Sequence, residues 1–450
     1  MLDIPTAPTD IVSMANVQPD PGYGINREDL DLVSRTVLRL GGYAEGLFDF
    51  HHFGFDKSIL RNHITSIHSM LSRLKETGTQ SPISLRPPNM PSDALFEDQG
   101  DTWNYLQTLR LAAGATMMSE KYHPHMTPEN LQKAMTAKIL HECQFGILDD
   151  LIDKGAYSYL EAKDLYHLVF SSMIDPDFDT TSYMKRLIAM LKQEQVPLFD
   201  LINSITRGFN VLWNNSPHGD DYFYQMEVLN DRVALGQALT MFQKERGLSI
   251  TKMDRIGTAF YGPRDDLLWW EKIGAHIAGA ARYNFIDMAF SGQLYDLRNM
   301  RNFMSGWYLY DASIILMDHV ASIYKDLRNG IANLSLIAMR EKELAQLTSL
   351  KGYNPQLTID DFEAHLRRIA WLSAHGLRLV DRDFRDETLY YPFITIMMPV
   401  VMMADWIGNR DDMIHTFLEA IAPTIREVAS GEQPTAAPFA DIAEEIARGA

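Results

Sequence analysis

Residues 145–153, from Phe145 to Asp153, read FGILDDLID and place three carboxylates at the end of an otherwise apolar helical run. On an α-helix, residues four apart share a face, so Asp149 and Asp153 point together while Asp150 sits about 100° around the axis. Three acids on one turn repel one another. The arrangement becomes favourable if the carboxylates share a hard cation, and Mg2+ is typically held by one or two carboxylates with substrate phosphates completing its shell. A solvated helix end is the alternative reading. The chain has four other Asp pairs, beginning at Asp220, Asp265, Asp360 and Asp411, so a pair alone carries no information; only the pair at Asp149 has a third acid four residues on.

A second stretch, residues 317–330, reads MDHVASIYKDLRNG. Asp318, Ser322 and Asp326 recur at i, i+4 and i+8, which makes an oxygen-bearing stripe along two helical turns after the apolar run SIILM. Lys325 precedes the last acid, where it could meet an anion that a metal also touches. Two helices bearing such clusters could face one another across a cavity, as bundle metal sites do.

The two motifs together resemble the class I terpene synthases, of the bacterial and fungal type with a single α-domain. That family's first motif, DDxxD, is matched letter for letter by Asp149, Asp150 and Asp153. Its second is Asn or Asp, then Ser or Thr four on, then Glu four further; Asp318, Ser322 and Asp326 fit the frame. Lys325 fits the Lys common before the last acid, and Gly330 falls where the family usually keeps Gly. His319 departs from the usual second acid, Asp326 is shorter than the usual Glu, and the 169-residue separation of the motifs is somewhat long. The resemblance covers roughly residues 101–428.

The resemblance implies an all-α, class I terpenoid synthase-like helical bundle, here with an N-terminal helical extension. It implies a Mg2+-dependent enzyme with three ions expected, held by Asp149, Asp150, Asp153, Asp318, Ser322 and Asp326. Asp149, Asp318 and Lys325 are the expected catalytic residues. The substrate would be an acyclic isoprenoid diphosphate, C20 favoured and C15 or C25 open. It would ionise by loss of diphosphate and cyclise to a terpene hydrocarbon or alcohol. Lys325 and Arg328 would donate to the departing phosphate, joined by the family's diphosphate-sensing base on the preceding helix. Lys272 has the expected spacing of 46 residues before Asp318; Arg282 has the expected residue type but lies 36 before it, and both stay open. Arg385 is the candidate for a further C-terminal Arg. Homodimerisation is compatible with the resemblance.

Helical spacing puts His141 and Phe145 on the face of Asp149, and Trp307, Asp311 and Ile314 on the approach to Asp318, so these would line the space between the motifs. An aromatic ring there could stabilise a carbocation by cation–π attraction; ordinary core packing is the alternative. No DxDD motif marks a protonation-initiated cyclase. The second cluster is not another DDxxD, which weighs against a chain-elongating prenyl transferase. A head-to-head prenyl transferase and a non-catalytic helical binding protein remain the rival readings.

With 59 acidic against 41 basic residues the net charge is −18, which disfavours nucleic acid and anionic membranes as partners. An acidic protein that takes a diphosphate needs divalent cations to reverse the local sign. The single cysteine, Cys143, excludes an internal disulfide framework and fits a cytoplasmic protein. The longest apolar run, residues 393–404, is interrupted by Pro399 and too short to span a bilayer.

Along the chain, residues 1–26 read as a disordered N-terminus, neither signal peptide nor anchor. Residues 27–76 read as an extension of two antiparallel helices and 77–100, rich in Pro, Ser and Gly, as a linker. Residues 101–429 read as the catalytic domain and 430–450 as a tail with a short amphipathic helix. Within the domain, helices are predicted over 102–119, 127–152, 159–173, 181–193, 197–212, 265–290, 358–380 and 411–428. No alternating strand pattern of convincing length appears.

Overall fold

The computed structural model describes residues 23–47, 57–76, 82–86, 105–118, 120–155, 157–241, 249–261, 267–278, 280–296, 301–350 and 352–380. Among these the chain is all-α; no strand forms, and the one extended pairing is an isolated parallel bridge between Ile25 and Ile83. The helices are α1 (Arg27–Leu47), α2 (Lys57–Glu76), α3 (Tyr105–Thr116), α4 (Pro128–Lys154), α5 (Tyr159–Ile174), α6 (Thr180–Met190), α7 (Phe199–Asn214), α8 (Phe223–Leu239), α9 (Ile250–Tyr261), α10 (Trp269–Ile277), α11 (Ala280–Phe290), α12 (Arg301–Asn329), α13 (Leu334–Leu344) and α14 (Ile359–Val380).

The first acid motif closes α4, a helix whose ends are written in the sequence. Thr127 accepts the Asn130 N–H at 3.1 Å, Pro128 opens the first turn and Glu129 follows it. From Ala134 to Ile152 nearly every residue is buried, as expected of a helix that is apolar on all sides and sits at the centre of a bundle. It packs on α3, α7 and α11. The second motif lies on α12, which packs on α10, α13, α14 and α11. Helix α11 therefore touches both motif-bearing helices. α5 starts with a reciprocal Ser158–Glu161 capping box and packs on α7 and α8.

The helices read from sequence appear with ends shifted by a few residues, except over 265–290, where two helices replace one. Ala278 is extended (φ −71°, ψ 169°), which ends α10 and lets α11 start in a new direction. The Ala281 N–H at that start donates to Asp311 of α12 at 3.4 Å. Helices α8, α9 and α13 were not expected. α8 and α13 are buried over much of their surface, which erases the one-sided pattern that identifies a surface helix. The predicted helix over 411–428, the apolar run 393–404 and the C-terminal tail lie outside the described residues.

The pair α1 and α2 is antiparallel: Arg27 and Asp31 at the start of α1 meet Lys75 at the end of α2, and Glu45 meets Arg61 at the other end. The described part of the stretch 77–100 contributes to packing. Ile83 exchanges backbone hydrogen bonds with Asn26 (2.9 Å) and Gly24 (2.7 Å), and Ile83 and Leu85 are buried. Asp29, itself buried, accepts the Leu85 N–H at 2.7 Å and the Tyr105 hydroxyl, which ties α1 to α3. Ile83 reaches Gly208 of α7, where a Cβ would collide with its side chain.

Helices α12 and α14 approach closely. A Cβ on Gly376 would stand 2.6 Å from the Gly306 carbonyl oxygen and 2.8 Å from the Tyr310 nitrogen, so only glycine lets the two backbones meet. Arg368 of α14 adds a bidentate pair to Glu271 of α10 at 2.7 and 2.8 Å. Gly376→Ala is expected to destabilise the protein by about 1–3 kcal/mol through overpacking, despite the better helix propensity of Ala. Urea unfolding followed by circular dichroism checks this; an unchanged midpoint contradicts the close approach.

Candidate active site

The carboxylates of the first motif and Lys325 of the second share one electrostatic environment. Burial works against the charge of Lys325, yet Asp153, Asp149, Asp150 and Asp326 together raise its pKa. The reverse holds for the acids. Burial raises the pKa of Asp149, Lys325 opposes this, and Asp150, Asp318 and Asp326 add to it. Burial likewise raises Asp153, with Asp149 adding, Lys325 opposing and Asp326 adding. Residues 169 apart in sequence are thus held close enough to repel.

Asp318 is exposed to solvent although dense protein surrounds it, and Asp149 and Asp153 are half-buried in equally dense surroundings. Groups that water reaches while protein encloses them belong to the wall of a concave site. Asp150 is turned further in and lies 3.8 Å from Lys154, one turn along. Among the described residues no three His, Cys, Asp or Glu side chains converge as a ready set of metal ligands. The acids nevertheless fit Mg2+ in kind: the donors are oxygens, each motif can supply one or two, and Mg2+ normally takes its remaining ligands from water and phosphate.

On α12, Asp326 is buried and its Oδ2 accepts the Ser322 hydroxyl at 2.6 Å and the Asn333 side-chain amide at 2.7 Å. Burial raises its pKa, and these two donors and Lys325 counteract that. His319, in the place of the expected second acid, faces elsewhere: its Nδ1 accepts the Leu334 N–H at 2.8 Å. Burial lowers the His319 pKa to about 4, so the ring is neutral and can accept there. The residue thus serves the start of α13. Gly330 has φ 69°, the left-handed conformation that turns the chain from α12 back toward its own motif.

Of the two candidate bases, Arg282 carries the stronger sign of a ligand. It is 1% exposed on α11, and none of its three guanidinium nitrogens has a hydrogen-bond partner among the described residues. It lies over the rings of Phe170 and Phe145, with the guanidinium carbon 4.9 and 5.4 Å from their centroids. Burial lowers its pKa to about 10, and Glu142, Asp311, Tyr166 and Tyr308 counteract this. Lys272 is also buried, on α10. Arg328 is exposed on the last turn of α12, and Arg385 lies outside the described residues.

The other expected lining residues are placed as follows. Phe145 is buried beside Arg282, Phe170 and Tyr166. Ile314 is half-buried; Trp307 is buried against Tyr310. Asp311 of α12 is buried against the start of α11, within electrostatic reach of Arg282 and Glu142. Sequence reading passed over Glu142, Tyr166, Phe170 and Asn333. Glu142 sits one turn before Gly146 and accepts the Tyr283 hydroxyl; burial pushes it up to about 8, with Arg282 opposing and Asp311 and Asp149 adding. His141 and Gln144 are buried in the same stretch of α4, with side-chain atoms that have no hydrogen-bond partner among the described residues.

No protein-family model matches this sequence, and no curated protein matches it. No helix among the described residues is long and apolar enough to cross a membrane.

The electrostatics set the pH dependence of stability. Glu142, Asp149 and Asp153 have raised pKa values in the fold, so between pH 8 and about 6.5 the folded state binds more protons than the unfolded one and stability rises as pH falls. Below about 6.5, the ordinary histidine value, the signs reverse. Burial lowers the pKa of His123, His141, His276, His319 and His365, so the unfolded state takes the extra protons. Without divalent cations the melting temperature is expected to peak near the crossover, and Mg2+ with inorganic diphosphate to flatten the alkaline limb. Differential scanning fluorimetry across pH checks both; a metal-free melting temperature that climbs steadily from the crossover to pH 8 contradicts the buried carboxylate cluster.

Proposed function

We propose that this protein is a Mg2+-dependent terpene cyclase of the class I type, built as that family's helical bundle. The observation that carries the reading is the placement of Lys325 among Asp149, Asp150 and Asp153, which joins two acid motifs from distant parts of the chain at one enclosed site. A cluster of like charges enclosed by protein, even where water reaches part of it, is costly unless a counter-ion relieves it. Divalent cations bridging a diphosphate would do so.

In this reading Asp149 and Asp153 hold metal from one side, and Asp318, Ser322 and Asp326 from the other. Bound Mg2+ supplies Lewis-acid neutralisation of the leaving diphosphate. Lys325 donates to the phosphate oxygens, and Arg282 offers N–H groups with no hydrogen-bond partner among the described residues, which an anion would satisfy with charge-assisted bonds. Phe145 and Phe170, already stacked beside the Arg282 cation, present ring faces to a developing allylic cation. The apolar surroundings exclude water while the chain cyclises.

Turnover is tested with purified protein, Mg2+ and, separately, geranyl, farnesyl, geranylgeranyl and geranylfarnesyl diphosphate, with extracts analysed by gas chromatography and mass spectrometry. A cyclic hydrocarbon or alcohol from one of them, lost in Asp149→Ala, is expected. Elongated or head-to-head products would make it a prenyl transferase, and neither turnover nor Mg2+-dependent diphosphate binding would leave a helical binding protein.

Arg282→Met separates binding from folding. Replacing this charge by an apolar chain of similar length removes a desolvation cost but also the counter-charge to Glu142 and Asp311, so the protein is expected to stay folded with at most a modest fall in melting temperature. The same variant should weaken Mg2+-dependent binding of inorganic diphosphate by about tenfold or more, the loss of at least one charge-assisted hydrogen bond. Calorimetry on Arg282→Met and Lys272→Met in parallel decides between the two bases; an equal or larger loss in Lys272→Met would move the role to that residue.

A further inference from the structure

The turn after the second motif brings an unforeseen side chain back onto it. Asn333 is the N-cap of α13, where its Oδ1 accepts the Leu336 N–H at 2.8 Å. Its Nδ2 faces the other way and donates to Asp326 Oδ2 at 2.7 Å and to the His319 carbonyl at 2.6 Å, with the Ser322 hydroxyl 3.4 Å away. Asn333 is 2% exposed, so these contacts are not shared with bulk water. The path that delivers it is short and fixed: Gly330 turns with positive φ, the Ile331 N–H donates to the Asp326 carbonyl at 2.9 Å, and the Ala332 N–H donates to Thr240 at the end of α8 at 2.9 Å.

We propose that Asn333 is a positioning residue for the cation held by the second motif. The inference depends on the proposed reading of the site and names how its weakest element works. Asp326 has a short arm and a buried carboxylate, which could turn in several ways. Among the described residues both of its side-chain donors, Ser322 and Asn333, meet Oδ2. The carboxylate is thereby fixed in rotation and Oδ1 is left for a cation. The Ser322–Asp326 bond commits the Ser322 proton to the carboxylate, so a lone pair of the Ser322 oxygen is available to the metal beside the long contact from Asn333. A neutral donor is required. A carboxylate at 333 would oppose Asp326 with like charge, and an apolar residue would leave Oδ2 with a single partner. Outer partners that orient metal ligands commonly govern affinity by about 10–100-fold.

Two substitutions preserve the cap while removing the donor, since Ser and Asp cap helices about as well as Asn. In Asn333→Ser the hydroxyl that accepts Leu336 N–H is too short to reach Asp326; in Asn333→Asp the second oxygen repels it. The full-length proteins are titrated with Mg2+ in the presence of inorganic diphosphate by calorimetry, with melting temperatures recorded alongside. Wild-type binding, weakened by about tenfold or more in both variants while α13 remains folded, is the expected result. In turnover, the Mg2+ concentration for half-maximal rate rises and kcat returns to the wild-type value at saturating Mg2+. Wild-type affinity in both variants overturns the role of Asn333 and leaves the site reading intact. Tighter binding in Asn333→Asp also overturns it, because residue 333 would then be a ligand itself. No Mg2+ binding by the wild-type protein overturns the reading of the site, and this inference with it.

Discussion

The constraint on which the rest depends is the repulsion among acids that the fold confines around Lys325. Asp149, Asp153, Asp318 and Asp326 all have pKa values raised by burial; neighbouring acids raise Asp149, Asp153 and Asp318 further, and Lys325 opposes the rise in all four. One lysine does not neutralise five carboxylates. The cluster persists because each acid is attached to a helix fixed elsewhere: α4 by burial on all sides, α12 by its close approach to α14 and its contacts with α10 and α13. Stability is supplied by the packed bundle, and the site draws on it, as strained or desolvated functional groups generally do.

The same division shows in the polar groups around α11. Lys138 and Asp287 form a fully buried pair at 3.1 Å that joins α4 to α11, with the Met118 carbonyl as a further acceptor for the lysine. Every charge there has a partner. A little further along, Arg282 of α11 has none for its N–H groups among the described residues, although it is about as deeply buried. Buried polar groups are almost always hydrogen-bonded, so a guanidinium among aromatic rings with no such bond among the described residues stands apart from the rest of the core. The paired Lys138 holds the helices together, whereas Arg282 makes no hydrogen bond among the described residues and is the base proposed to meet an anion.

Around the second motif, what separates the residues is geometry rather than type. His319 is adjacent to Asp318, yet its ring serves the backbone of α13, while Asn333, outside the helix altogether, reaches Asp326 and the His319 carbonyl. His365 on α14 bonds Ser335, whose hydroxyl donates to the Leu316 carbonyl, so the start of α13 is fastened to α12 and α14 together. The geometry of the proposed metal ligands depends on this junction of three helices.

The sequence by itself determined the helical class, the ends of α4 and α5 through their caps, and the two acid motifs, because these are local: periodicity, a Thr-Pro or Ser-x-x-Glu start, and i, i+4 spacing need no partner. Its family resemblance named the candidate acids but left Lys272 and Arg282 undecided, since spacing along one chain does not say which base is left unpaired in the fold. That Lys325 meets the first motif, that the predicted 265–290 helix breaks at Ala278, and that Asn333 rather than His319 serves Asp326 were decided only by tertiary structure. Each depends on groups brought together from separate helices. Charge, desolvation and the satisfaction of hydrogen bonds are properties of those encounters and are not written in any one stretch of the chain.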